Sequence, residues 1–430
     1  MSRISVRHFL AKAKEVLHSG IENRHHLSFV IGNESAGNKN PEDTSLFCLH
    51  VLLDLDSLCS SLCYAYVRTL TSPPRQPFRP IWIPLVNIPA CDVSLRPEFL
   101  ATLSHAGIKP QQLITLDDLG REPELESRLP AERTQWILVD HNSLQGELGR
   151  IYSQRVIGCI DHHRDEGKVP LDTGSEPRVI TTSGSCTSLV VLQVKDDWTN
   201  LPSNAEIGNG NDHPSQYNAE AAKLAMAGIL MDTINLTSKD KVTEHDENAV
   251  NFLKSMLPNF DQEAFFNEIN SANQNIDGFS LRDILRKDYK EWEEAGMKLG
   301  IASCVKSMGY LIDKASSEMK DRNSAEAFLT IAKDYAKERN LDILCIMTAF
   351  NTNNEFKREL FVWAMIAESS SAARKFEELA SHELDLRRFN GPSLTITEEG
   401  SEWRKVWVQA ALQYSRKKVA PLLREAMGRL

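Results

Sequence analysis

The run Val156-Ile-Gly-Cys-Ile160 ends abruptly in Asp161-His162-His163-Arg164. A short apolar, β-rich run that stops at polar residues reads as a buried strand delivering its last side chains to the carboxyl edge of a sheet. Ligands of open α/β sheets sit at that edge. Asp and His bind Mn²⁺, Co²⁺ or Zn²⁺, and carboxylates also hold Mg²⁺. Taken alone, the stretch reads equally as a surface turn that contains two histidines. The rest of the chain decides between the two.

The same pattern recurs along the first half. Leu27 to Ile31 is strand-like and runs into Gly32-Asn33-Glu-Ser-Ala36. Asp54-Leu-Asp56-Ser57 opens an apolar helix from Leu58 to Leu70. An Asp at a helix start satisfies free N–H groups and the helix dipole, and two acids spaced i, i+2 can also share a cation. Pro80 to Ile88 and Gln112 to Leu116 are strand-like, and Trp136-Ile-Leu-Val-Asp140 is another buried strand ending in an acid. Arg178 to Ser188 passes from a strand into a Ser/Gly-rich turn and a helix, a turn that offers hydroxyls and N–H groups to an anion. Asp196 to Ser215 reads as a loop. Ala219 to Leu230 is an Ala-rich helix whose end carries Asp232-Thr233, and Glu244 to Leu257 is a further helix. Strands alternating with helices predict an α/β fold with a doubly wound, mainly parallel sheet.

The pattern pauses near Pro258-Asn-Phe-Asp261. That predicts an N-terminal domain over 1–257 and a smaller α/β domain over 262–430. The second half carries strand-like runs at Lys298–Lys306, Leu341–Ala349 and Glu359–Met365, a long helix from Ala325 to Arg339, and a final helix containing Tyr414 to Pro421.

At 430 residues each domain can bury its own core. The formal charge of −10 gives no support for nucleic-acid binding, so an anionic substrate needs a local basic patch. No apolar run approaches the roughly 20 residues of a membrane span. The eight cysteines are scattered without a C-x-x-C pair, which speaks against structural zinc. With no secretory signal, reduced thiols in the cytoplasm are expected, and an N-terminus without an acid before Glu15 leaves the mitochondrial matrix as the weaker alternative. That N-terminus reads more simply as an amphipathic helix with Val6, Phe9, Leu10, Ala13 and Leu17 on one face.

Asp54/Asp56, Asp140, Asp161 and Asp232 thus stand at strand or helix ends, beside His162 and His163. This mixture of oxygen and nitrogen donors suits two divalent cations better than one tetrahedral zinc. Such a pair can activate a water and hold both oxygens of an in-line phosphoryl displacement. Arg416-Lys417-Lys418 is a dense basic cluster at a helix start. It reads either as a solvated helix face or as a phosphate clamp, with Arg for bidentate contact and Lys as a point charge.

In order, D-H-H at 161–163, V-D at 139–140, G-S-C at 184–186, M-D-T at 231–233 and S-R-K at 415–417 resemble the DHH phosphoesterases that carry a DHHA2 C-terminal domain. That group holds the manganese-type family II inorganic pyrophosphatases, the prune proteins and the fungal-type cytosolic exopolyphosphatases. Gly32 to Ala36 looks like the exopolyphosphatase form, because pyrophosphatases have a His where Asn33 stands. Phe279 to Lys290 is similar to that branch too. The resemblance implies a metal-dependent exopolyphosphatase that releases terminal orthophosphate from linear polyphosphate by a metal-activated water. An inorganic pyrophosphatase or a prune-like short-chain polyphosphatase or nucleotide phosphodiesterase is the alternative. It implies an active site in the cleft between the domains and two Mn²⁺ or Mg²⁺ ions, with Co²⁺ as a further candidate. Asp54, Asp56, Asp140, His162 and Asp232 match the metal ligands, and Asn33 stands at the first-ligand position. His163 matches the histidine that meets the phosphate or the leaving group, and Lys290, Arg416 and Lys417 match the residues that grip terminal phosphates. A His-to-Asn change at the first ligand implies one weaker metal site, Mg²⁺ tolerance and longer substrates. The implied partner is polyphosphate or another short phosphate-chain substrate and the implied state is a monomer, while charge and hydropathy predict no nucleic-acid or membrane partner.

One segment departs from the family. There the N-E-S-A run leads straight into D-x-D-S, whereas here Gly37 to Leu53 intervenes, polar in its first half and apolar in its second. It is either a retained intron or a true insertion. It falls inside the first metal-binding loop, so a binding protein disabled by the insertion is the non-enzyme alternative.

Overall fold

The computed structural model describes residues 4–33, 55–71, 78–120, 124–201, 214–320, 323–353, 355–396 and 402–429. The segment 37–53 and Asp54 lie outside them. The described residues form two compact units, which meet in sequence at Asn275–Ile276.

In the first unit, β1 (His26–Ile31), β2 (Phe78–Val86), β3 (Ile114–Thr115), β4 (Thr134–Val139), β5 (Val156–Asp161) and β6 (Arg178–Ile180) form one sheet in the order β3-β2-β1-β4-β5-β6. Every pairing in it is parallel. Phe29, Val30, Ile31, Trp136, Ile137, Val139, Cys159 and Ile160 are all buried, as continuous apolar runs in a sheet covered on both faces must be. Phe29 of β1 stacks on Trp136 of β4 with ring centroids 4.3 Å apart. The helix Leu55–Thr71 packs against the helices Cys186–Thr199 and Pro214–Asp232.

The helix Gln262–Gln274 also belongs to this unit, packed on the helices Pro97–Ser104 and Pro214–Asp232. This compact unit therefore extends through the helix to Asn275. Phe265 and Ile269 are buried, and the His105 ring lies 4.8 Å from that of Phe265. The expected loop at 196–215 is helical at both ends, since one helix runs to Thr199 and the next begins at Pro214. Trp198 holds the first of these turns by packing on Phe252.

The second unit is built on a mixed sheet of β7 (Tyr289–Glu294), β8 (Met297–Cys304), β9 (Ile343–Thr352), β10 (Glu355–Ala364), β11 (Leu386–Arg388) and β12 (Trp403–Gln409), ordered β11-β12-β10-β9-β8-β7. Only β8 and β9 pair in parallel. Side chains alternate between two cores. Leu344, Ile346, Phe361 and Trp363 face one, with the helices Met308–Glu318 and Ser324–Glu338. Ile343, Cys345, Leu360 and Val362 face the other, with the helices Ala367–Ala380 and Arg416–Gly428. Among the described residues no helix is long and apolar enough to cross a membrane. The described cysteines are free thiols.

Candidate metal centre

The strand order reverses direction between β1 and β4, which leaves a crevice at their carboxyl ends. Asn33 follows β1 there, and Asp140 follows β4. Asp140 has a φ of 64°, in the left-handed region that Asp tolerates better than most residues. The chain thus turns sharply as the strand ends. The helix Leu55–Thr71 starts at the same place. Ser57 Oγ accepts the Asn33 N–H at 2.9 Å and donates to Asp140 Oδ2 at 2.7 Å, which ties both strand ends to the helix.

This close approach requires a glycine at 32. A Cβ there would lie 2.7 Å from Ser57 Cβ and 2.9 Å from the Ser57 carbonyl oxygen. Gly32→Ala is expected to cost about 1–3 kcal/mol by overpacking, read as a fall of several degrees in the calorimetric melting temperature. An unchanged midpoint would show that the strand and helix separate freely.

Asp56 is buried in a cradle of donors. Its Oδ1 accepts from Ser185 Oγ at 2.6 Å, Thr187 N at 2.9 Å and Thr187 Oγ1 at 2.5 Å, and its Oδ2 accepts from Cys186 N at 2.7 Å. Burial, and then the charges of Asp140 and Asp232, push its carboxyl up to about 7 despite these bonds. The hydroxyls and N–H groups of the Ser/Gly-rich turn are thus taken up by a carboxyl group of the same chain.

His162 places Nδ1 3.0 Å from the Ser183 carbonyl oxygen and Nε2 3.0 Å from Asp140 Oδ1. A carbonyl only accepts, so Nδ1 carries a proton and Nε2 faces the carboxylates. Burial alone would lower this imidazole, but Asp140, with Asp232 and Asp56 behind it, pushes it up to about 10. Nε2 therefore faces Asp140 where a cation would bind.

His163 is held differently. Its Nδ1 lies 2.7 Å from Asp161 Oδ1, and its backbone N–H reaches the same oxygen at 3.2 Å. Asn142 Nδ2 donates to Asp161 Oδ2 at 2.5 Å and to the Arg164 carbonyl at 3.0 Å. Burial would raise the Asp161 carboxyl, yet the bond and charge of His163 hold it below the ordinary carboxylate range. Asp161 thus orients His163 and is absent from the candidate cation groups among the described residues.

Those groups are Asp56, His162 and Asp232, and Asp140, His162 and His163, each with donor atoms within 4.8 Å of one another. Asp232 ends its helix with Oδ1 2.9 Å from Lys241 Nζ. Three carboxylates and a shared imidazole, crowded enough to raise Asp56, fit a hard divalent cation such as Mn²⁺ or Mg²⁺. Asn33 joins through its backbone N–H. Sequence reasoning did not single out Asn142, Lys241 or Asp246. For Asp246 a signal existed, the capping pattern Thr243-x-x-Asp246.

In the second unit, Arg416 is buried, with Nη2 2.8 Å from Asp288 Oδ1 and Nη1 3.2 Å from the Asp288 carbonyl. This sets the start of the last helix beside the start of β7, where Lys290 stands. Lys417 is exposed, and Lys418 pairs with Glu383 at 2.5 Å.

An α/β chain with this site matches two family profiles: "DHH family, N-terminal domain" over residues 46–229 and "DHHA2 domain" over 267–426. The chain belongs to the DHH family with a DHHA2 domain. It is 30% identical over 402 residues to a Schizosaccharomyces pombe protein named "Putative exopolyphosphatase", which covers 93% of this chain and 91% of that one. It is 25% identical to human "Exopolyphosphatase PRUNE1" over 88% of this chain and 76% of that one. A Brevibacillus brevis "Probable manganese-dependent inorganic pyrophosphatase" is 26% identical over 62% of this chain and 68% of its own length.

Proposed function

We propose that this chain is a metal-dependent phosphoanhydride hydrolase of the exopolyphosphatase type, releasing terminal orthophosphate from linear polyphosphate. The reading rests on one observation above all, the joining of Asp56, Asp140, His162 and Asp232 at the crevice where the parallel sheet reverses order. The names of its relatives give the substrate class.

In this reading Asp56, Asp140, His162 and Asp232 would hold the divalent cations, joined by Asp54, which lies outside the described residues and enters by resemblance alone. Bound cations neutralise phosphate charge and lower the pKa of a water. The chain's own residues do the rest. Ser57, Ser183 and the 185–187 turn keep the ligand atoms aimed. His163, oriented by Asp161, meets the leaving phosphate. Lys290, Arg416 and Lys417 bind the terminal phosphates, with Arg416 braced by Asp288. The protein acts as a monomer in the cytoplasm.

Phosphate release from pyrophosphate, tripolyphosphate and long chains, with Mn²⁺ or Mg²⁺, tests the reading. Turnover is expected to be at least tenfold faster on three or more phosphates than on pyrophosphate. A preference for pyrophosphate makes the protein a pyrophosphatase. Running the assay with and without residues 37–53 isolates the insertion. No metal-dependent release from either form leaves a binding protein.

A further inference from the structure

We propose that Asp246 is a positioning residue of the metal centre, a buried carboxylate that clamps the 183–188 turn and through it aims both His162 and Asp56. The inference rests on the two-cation reading of the site. Asp246 lies near the start of the helix Glu244–Lys254 and is fully buried. Its Oδ2 accepts from Thr243 N at 2.7 Å and Thr243 Oγ1 at 2.8 Å, which is ordinary helix capping.

Capping does not account for its other bonds. Oδ2 also accepts from Gly184 N at 2.9 Å, and Oδ1 accepts from Ser183 Oγ at 3.1 Å, Ser185 N at 3.1 Å and Ser188 Oγ at 2.6 Å. Three donors of one short turn and a fourth, Ser188, from the first turn of the helix it opens, some 60 residues away in the chain, thus converge on this carboxylate.

The turn is the piece that orients the metal-site side chains. The Ser183 carbonyl orients the His162 ring through Nδ1, and Ser185, Cys186 and Thr187 cradle Asp56. On its other side the turn touches the residue after Asp232. A Cβ at Gly184 would lie 2.7 Å from Asp246 Oδ2 and 2.8 Å from Thr233 Cγ2. The turn therefore fits between Asp246 and the Asp232–Thr233 corner with no space to shift. Burial would raise the Asp246 carboxyl, yet Ser188, Thr243 and Gly184 hold it below the usual range, so it stays a full acceptor. Outer-shell groups of this kind typically change metal affinity 10–100-fold when removed.

The test is calorimetric Mn²⁺ titration of the full-length protein after EDTA stripping, with a melting curve of each stripped variant. Asp246→Asn turns two acceptor oxygens into one acceptor and one donor, facing N–H and O–H groups. It is expected to weaken Mn²⁺ binding by about 10–100-fold in folded protein. Ser188→Ala removes one bond only and is expected to weaken binding several-fold. It decides the matter if Asp246→Asn does not fold. A merely structural Asp246 would lower the melting temperature and leave the Mn²⁺ affinity of the folded variants at the wild-type value, which overturns the proposal. Failure of wild type to bind Mn²⁺ overturns the metal reading itself.

Discussion

Asp140→Asn is expected to lower metal-dependent phosphate release by about 10³-fold or more, judged by kcat/KM. The carboxylate has two tasks that an amide cannot share. Oδ1 faces His162 Nε2 at 3.0 Å, and Oδ2 accepts the Ser57 hydroxyl at 2.7 Å. An amide oxygen can serve only one of these positions, and the charge that attracts a cation is gone. The residue is of equal size, so the sheet and its buried strand end should survive. A wild-type circular dichroism spectrum separates this loss from misfolding. His162→Ala removes the other ligand of the pair and is expected to act as strongly. Retained turnover in both variants would refute the site.

Removing the metal should reverse how the protein responds to pH. In the stripped protein, His162 titrates near 10 against an ordinary value of 6.5. Its contribution is complete below 6.5 and is lost as pH rises through about 10. Asp56 is also raised, from 3.8 to about 7, so its protonated form is the one that folding favours. That contribution is complete below 3.8 and is lost as pH rises through about 7. Both groups act in the same direction. EDTA-stripped protein is therefore expected to melt several degrees lower at about pH 9 than at about pH 6. A bound cation needs both groups deprotonated, so the stabilisation that Mn²⁺ adds should grow over the same range. Scanning calorimetry at the two pH values, with EDTA or with Mn²⁺, measures this. A stripped protein whose melting point is flat or rises with pH would show that these two groups do not dominate.

Much of the fold is legible in local pattern. The buried runs at 27–31, 136–140 and 156–161 and the helices that separate them imply a parallel sheet, because such strands need helices on both faces. The acids at the run ends point to its carboxyl edge. The helix at 262–274 joins the first unit through Phe265 and Ile269, by what they pack against and not by any local pattern.

By itself the sequence determined the α/β class, the strand ends that carry Asp140 and Asp161, and the D-H-H run, because these depend on residues adjacent in the chain. Tertiary structure alone decided that β1 and β4 are neighbours, which makes their ends a crevice. It also decided that the Ser/Gly-rich turn grips Asp56 and Asp246, and that Asp161 serves His163. Asp56 and its cradle are about 130 residues apart, and no local periodicity records such a pairing. Only packing brings a carboxylate and its donors together, and burial then sets which of them keeps its proton.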